Sequence, residues 1–309
     1  MNRREFSRAA AATVLASALP IPACPVPATS PPLLRGKGGG PRLSIMLWTV
    51  FRDLPFEERL QKVAEAGYYA VELVNEFRGW QEADFARVAA LRRGLGLTFD
   101  ATAGLVTGIA DPSAREKFLD EVAKMLPVLQ KLECSNLIVL SGNAVPGLSR
   151  EVQYQSCIEG LQRAADLAAR NDVTLLLENI DSEENPRYFL TSSREGFEIV
   201  RRVGRRNVRL LYDLYHEQIA EGNLIAKLEK NIEQIGLVHV ADVPGRHQPG
   251  TGEIDYGNVF RKLAQLHYDG YIAMEFLPAG DAVAALRDAA GLANRSWHEA
   301  YPAQDRRES

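Results

Sequence analysis

Histidine and cysteine are scarce in this chain, with five His and three Cys among 309 residues. The cysteines form no CxxC or other metal-type spacing, so no cysteine-based metal or redox motif is present. Basic excess is lacking as well: 36 Lys and Arg face 40 Asp and Glu, for a net charge of −4 and a pI near 5.8. A nucleic-acid-binding surface needs a basic stripe to neutralise phosphates, and none is legible. The globular part holds no apolar run of membrane-spanning length. No GxGxxG follows the first strand-like run, which removes the usual mark of a dinucleotide site. What remains is an ordinary globular composition, 46% hydrophobic and 25% charged, with ample material for one large core.

Residues 1–28, MNRREFSRAAAATVLASALPIPACPVPA, read separately from the rest. Their apolar run is too short to span a bilayer and follows positive charge, the pattern of a targeting leader. NRREF resembles the twin-arginine export signal, which predicts a periplasmic location. An Arg pair, an aromatic two residues on and a weakly hydrophobic run favour this over an ordinary Sec leader. Cys24 is a candidate lipid-anchor acceptor, although Pro22 departs from that pattern. Residues 29–41 are a Pro/Gly/Ser linker without an expected fixed structure, and 296–309 a C-terminal tail. Cys134 and Cys157 lie in or beside helical patterns and are expected to be buried small hydrophobes.

From Arg42 to about residue 295 short apolar runs alternate with longer segments of helical period. RLSIML, YAVEL, LTFDAT, NLIVLSG, VTLLLEN, NVRLLYD, IGLVHV and YIAMEF each precede one such segment, including the single long one YHEQIAEGNLIAKLEKN. Runs that are apolar almost throughout imply strands buried on both faces, as in a parallel sheet. Eight such units over about 250 residues predict a single-domain (β/α)8 TIM barrel, with a doubly wound open sheet as the alternative.

In a barrel of this kind chemistry sits at the C-terminal ends of the strands and in the loops that follow. Strand two ends near Glu72, strand five at Glu178, strand six at Asp213, strand seven at His239 and strand eight at Glu275. Taken singly, each has a plain role: a solvated rim carboxylate, a helix cap, a satisfied core imidazole. Neighbouring strands lie about 5 Å apart, so the last four side chains converge on one side of the mouth. Facing inward they would be buried without compensation unless a cation is present. Three oxygen donors with one imidazole suit Mn2+ or Mg2+ and do not exclude Co2+ or Zn2+.

The order Glu, Asp, His, Glu on strands five to eight resembles the xylose-isomerase-like barrel superfamily of sugar isomerases and epimerases. Within it, YDLYHEQIAEG and ADVPGRHQPGTGEIDY look like the hydroxypyruvate isomerase family, over roughly Arg42 to Ala293. The resemblance implies Glu178, Asp213, His239 and Glu275 as metal ligands, and a small sugar or hydroxy-carbonyl compound as substrate. Two departures stand out. Hydroxypyruvate isomerases usually carry Gln where this chain has His239, whereas the related ketose 3-epimerases carry His. They also tend to read EPxNxRD after the strand-five Glu, where this chain reads ENIDSEENP. Asn179, Asp181 and Glu183 thus replace Pro, Asn and Arg, removing a partner for a substrate carboxylate and adding acids that would repel one.

Isomerisation next to a carbonyl begins with removal of an alpha proton, and two carboxylates flanking the substrate can share the work of base and acid. Glu178 and Glu275 are the candidates for that pair. His216 is placed either to meet a substrate hydroxyl or to orient Asp213. Glu184 matches a substrate-contacting acid of the epimerases, or is a solvated loop residue. Arg246 is expected to meet an anionic or oxygen-rich substrate, its plainer role being a surface salt bridge with Asp242 or Glu253. Trp48 offers an apolar face to a sugar or packs in the core, and Glu72 completes the expected substrate-binding set. An epimerase, a lyase or dehydratase would share the first step, and a sugar-binding protein would use the same pocket without turnover. An apurinic endonuclease with three zinc ions fits poorly with five His and an acidic balance. A homo-oligomer is compatible with the sequence.

Overall fold

Each of the eight apolar runs forms a strand in the computed structural model, which describes residues 39–300. The strands are β1 (Arg42–Met46), β2 (Ala70–Leu73), β3 (Thr98–Thr102), β4 (Asn136–Leu140), β5 (Thr174–Glu178), β6 (Val208–Asp213), β7 (Ile235–Val240) and β8 (Tyr271–Met274). All pairings are parallel, and β8 returns to β1 with Arg42 opposite Tyr271 and Ile45 opposite Met274. That last pairing closes the barrel and removes the open-sheet alternative. The leader with Cys24 and the tail beyond 300 lie outside the described residues, as does the linker up to residue 38.

Nine helices of the described residues pack outside the strands: α1 (Phe56–Glu65), α2 (Glu82–Gly94), α3 (Arg115–Leu132), α4 (Arg150–Ala168), α5 (Ser193–Val203), α6 (Leu214–Ala220), α7 (Leu224–Asn231), α8 (Tyr256–Gln265) and α9 (Ala282–Glu299). Two depart from expectation. The segment read as one helix after β6 is split into α6 and α7, because Gly222 and Asn223 take left-handed φ values of 63° and 54°. A left-handed residue terminates a helix, and Gly and Asn tolerate that region best. The last helix runs past Gly291, and past the barrel end expected at 295, to Glu299. Its apolar face continues through the buried Ala293 and Trp297, so burial overrides the breaker.

The site is placed by strand alternation. Successive side chains on a strand point to opposite faces, so positions i and i+2 share one. Leu176, Leu211, Leu237 and Ala273 fill the barrel interior as one apolar cluster. Glu178, Asp213, His239 and Glu275 each stand two residues further on, at the next inward position towards the mouth. Cys134 and Cys157 are free thiols buried in the layer between sheet and helices, as expected.

Candidate metal centre

Glu178, Asp213, His239 and Glu275 meet at the mouth, each 1% exposed or less. One ligand atom from each lies within 4.8 Å of all the others. Two unit charges at that separation repel by on the order of 3 kcal/mol at an effective dielectric of about 20. Three carboxylates make three such pairs, and each buried ion carries a further desolvation cost of several kcal/mol. A cation is the inexpensive remedy.

His239 shows most directly that the donor set fits a metal. Its Nε2 stands 2.8 Å from Glu72 Oε2. Its Nδ1 stands 2.5 Å from Glu275 Oε2, with Glu178 Oε1 at 3.8 Å and Asp213 Oδ2 at 3.9 Å. Burial opposes charge on this imidazole, but the carboxylates of Glu72 and Glu275 raise its pKa well above the ordinary 6.5. Positive charge is drawn to the point where Nδ1 and three carboxylates face one another. Held there, a dication would be bound by Glu178, Asp213, His239 Nδ1 and Glu275, an oxygen-rich set with one nitrogen.

Arg246 supplies part of the compensation. Its guanidinium is buried, with Nη2 2.9 Å from Glu275 Oε2 and 3.2 Å from Asp213 Oδ2, and Nη1 donating to Glu184 Oε1 at 2.8 Å. Burial alone would lower its pKa, but Glu275, Asp213, Glu184 and Glu178 together raise it. The surface salt bridge with Asp242 or Glu253 is therefore not what forms. Tyr215 and Trp48 flank the guanidinium at 4.7 and 6.0 Å from their ring centroids.

The remaining predicted residues fall close by. His216 Nδ1 pairs with Asp181 Oδ2 at 2.6 Å, while its Nε2 faces Asp213 Oδ2 at 3.4 Å and Arg246 Nη1 at 3.3 Å. Burial works against a charged imidazole here too, but Asp213 and Asp181 outweigh it and raise the pKa. Asp213 also caps α6 by accepting from the amides of Tyr215 and His216. Glu184 stays exposed at the mouth. Trp48 is tied to the chemistry directly, since its indole N–H donates to Glu275 Oε1 at 2.9 Å. Glu72 is a correction: it is fully buried, and it reaches His239 from behind instead of facing the substrate space. Asp181 is another. It is fully buried and accepts from the amides of Glu183 and Glu184, so its charge is absorbed by the loop and His216 instead of repelling a substrate.

Residues 60–294 match the family described as the xylose isomerase-like TIM barrel. The chain belongs to that family. A 2-oxo-tetronate isomerase of Pectobacterium atrosepticum is 30% identical over 244 residues, 78% of this chain and 93% of that one. The hydroxypyruvate isomerase of Escherichia coli is 30% identical over 251 residues, 80% of this chain and 97% of that one. A solved structure titled AP endonuclease, family 2, from Brucella melitensis superposes with a TM-score of 0.74 at 31% identity, covering 80% of this chain and 96% of that one.

For a xylose isomerase-like barrel, the loop after β7 is the part least readable beforehand. Asp242 organises it. Its Oδ2 accepts from the amides of Gly250, Thr251 and Gly252, and its Oδ1 from those of Val243 and Ile254. Gly252 is required sterically, because a Cβ there would lie 2.1 Å from Val243 O. Arg246 itself has a left-handed φ of 56°, a conformation the Asp242 hub holds in place. Sequence reasoning missed Asp242, and the available signal was an acid followed by three glycines within ten residues. It also missed Ser44 and Asp100, polar residues inside the barrel whose runs read as plain apolar strands.

Proposed function

We propose that this isomerase is divalent-metal-dependent and moves a carbonyl between adjacent carbons of a small hydroxy-carbonyl compound or sugar through an enediolate. The convergence of Glu178, Asp213, His239 and Glu275 at the barrel mouth carries the reading. When bound, Mn2+ or Mg2+ would offset the negative charge that develops on substrate oxygens. Glu178 at the end of β5 and Glu275 just beyond β8 approach the same space, so one removes the alpha proton and the other returns it. Trp48 holds the Glu275 carboxylate from one side and Arg246 from another, which fixes its direction. Arg246 and His216 present N–H groups beside the centre and can bind hydroxyl or carbonyl oxygens of the substrate. Tyr215, half-buried Trp48 and the loop after β7 restrict water at the mouth.

The imidazole at strand seven favours a second reading on the same residues, a ketose 3-epimerase that returns the proton to the opposite face. A lyase or dehydratase would share proton removal and differ in how the enediolate collapses. The paired arginines of NRREF support a periplasmic enzyme acting on scavenged compounds. The test is solvent exchange: protein loaded with Mn2+ in D2O, offered ketoses, aldoses, hydroxypyruvate and 2-oxo-tetronate, with alpha deuterium followed by NMR. Incorporation abolished by chelator and by Glu275→Gln supports the reading. Incorporation that survives both refutes it.

A further inference from the structure

We propose that Glu72 is a positioning residue that holds the His239 imidazole with Nδ1 towards the centre, and thereby biases the centre towards Mn2+ over Mg2+. The proposal rests on the metal reading given above. Glu72 and His239 stand on β2 and β7 and meet through the barrel interior, both fully buried. A neutral imidazole has one donor and one acceptor nitrogen. Once a cation takes the place of the Nδ1 proton the imidazole is neutral, and the Glu72 carboxylate 2.8 Å from Nε2 would keep the remaining proton on Nε2, leaving the Nδ1 lone pair for the side that faces Glu275, Glu178 and Asp213. A carboxylate behind a ligand imidazole fixes its tautomer and ring angle and raises its basicity.

The surroundings of Glu72 have no other evident use. The far side of the interior is lined by Ile138, Leu176, Leu211 and Leu237, the apolar filling expected of such a barrel. On the near side a register shift between β2 and β3 leaves Asp100 as the extra residue between Phe99 and Ala101. Asp100 accepts from Ser44 Oγ at 2.5 Å, deep in the barrel. Burial first, and then the charge of Glu72, push the Asp100 carboxyl up to about 8. Ser44, Asp100 and Glu72 form a polar column whose upper end is the imidazole. Nitrogen donors favour Mn2+, Co2+ and Zn2+ over Mg2+, which prefers oxygen, so a well-held imidazole discriminates between the two candidate ions.

The experiment measures Mn2+ and Mg2+ dissociation constants by calorimetry on metal-stripped wild type, Glu72→Gln and Glu72→Leu, with thermal melts as a fold control. Glu72→Leu is expected to weaken Mn2+ binding about 10- to 100-fold, the usual cost of losing such a partner. Mg2+ binding is expected to weaken less, so the Mn2+:Mg2+ ratio falls. Glu72→Gln keeps an acceptor oxygen and should restore most of the affinity, with His239 still carrying its proton on Nε2 by 15N NMR. In a His239→Gln background, Glu72→Leu should leave Mn2+ affinity unchanged. Wild-type Mn2+ affinity and ratio in Glu72→Leu would overturn the proposal, and so would an equal loss in the His239→Gln background. If Glu72→Leu does not fold, a His239 in Glu72→Gln that carries its proton on Nδ1 overturns it as well. Wild type that binds neither ion overturns both this proposal and the metal reading; wild type that binds while the Glu72 variants are indifferent overturns this proposal alone.

Discussion

Replacing Asp242 with Asn should loosen the wall of the site without touching the centre itself. The change is isosteric, so no cavity opens, but one acceptor oxygen becomes a donor. As the side chain stands, Oδ2 accepts from Gly250, Thr251 and Gly252 at 2.9, 3.1 and 2.9 Å. Turned one way, the new NH2 confronts those three N–H groups. Turned the other way it confronts Val243 and the buried Ile254. At least two donors lose their acceptor in either orientation. Hydrogen bonds to a charged group contribute about 1.5–3 kcal/mol each, and the exposed amides among them recover part of that from water. A net loss of about 3–5 kcal/mol is expected, which for a domain of this size lowers Tm by on the order of 10 °C. If the loop instead opens locally, the melt moves less and proteolysis between residues 243 and 253 accelerates. Because Arg246 rides on this loop, deuterium exchange into substrate should fall at least tenfold in either case. An Asp242→Asn protein with unchanged Tm, unchanged cleavage and unchanged exchange would refute the assignment of Asp242 as the hub.

Other outcomes follow from the same geometry. Glu178→Gln and Glu275→Gln should each abolish exchange; the metal-free Glu178→Gln protein should melt at or above the wild-type temperature, since it removes one member of a repelling set, whereas Glu275→Gln also weakens the contact with Arg246 and should melt lower than Glu178→Gln. A Glu178→Gln protein that melts below wild type would contradict the charge argument. Mn2+ at about 100 times its dissociation constant should stabilise the fold by roughly 2.7 kcal/mol, read as a Tm rise that chelator reverses. Asp100 binds a proton in the folded state up to about pH 8 but only to about its ordinary 3.8 when unfolded. The unfolded chain therefore holds fewer protons between those values, so stability should decline as pH rises from about 4 to 8. Asp100→Asn should flatten that decline in urea titrations across the window, and an unchanged slope would show that Asp100 is already ionised at neutral pH.

The sequence by itself determined the barrel and its four inward donors. Eight apolar runs without surface alternation demand a parallel sheet covered on both faces, and the polar residue ending each of strands five to eight marks the mouth. The family followed from the same residues, because Glu, Asp, His and Glu recur there in a fixed strand order. Only the tertiary structure decided what stands behind and around those donors. Glu72 looked like one more mouth residue, yet it crosses the interior from β2 to reach His239 on β7, a pairing of residues distant in sequence that depends on barrel closure. Asp181 looked like a repelling charge until the fold brought His216 to it. Arg246 looked like a surface or substrate residue until the Asp242 hub folded the loop inwards and set its guanidinium among Asp213, Glu184 and Glu275. Periodicity along the chain records which face a residue takes, because that is a local property of the backbone. Which residue meets it across the barrel depends on shear, a strand bulge and loop closure, and those are properties of all eight strands together.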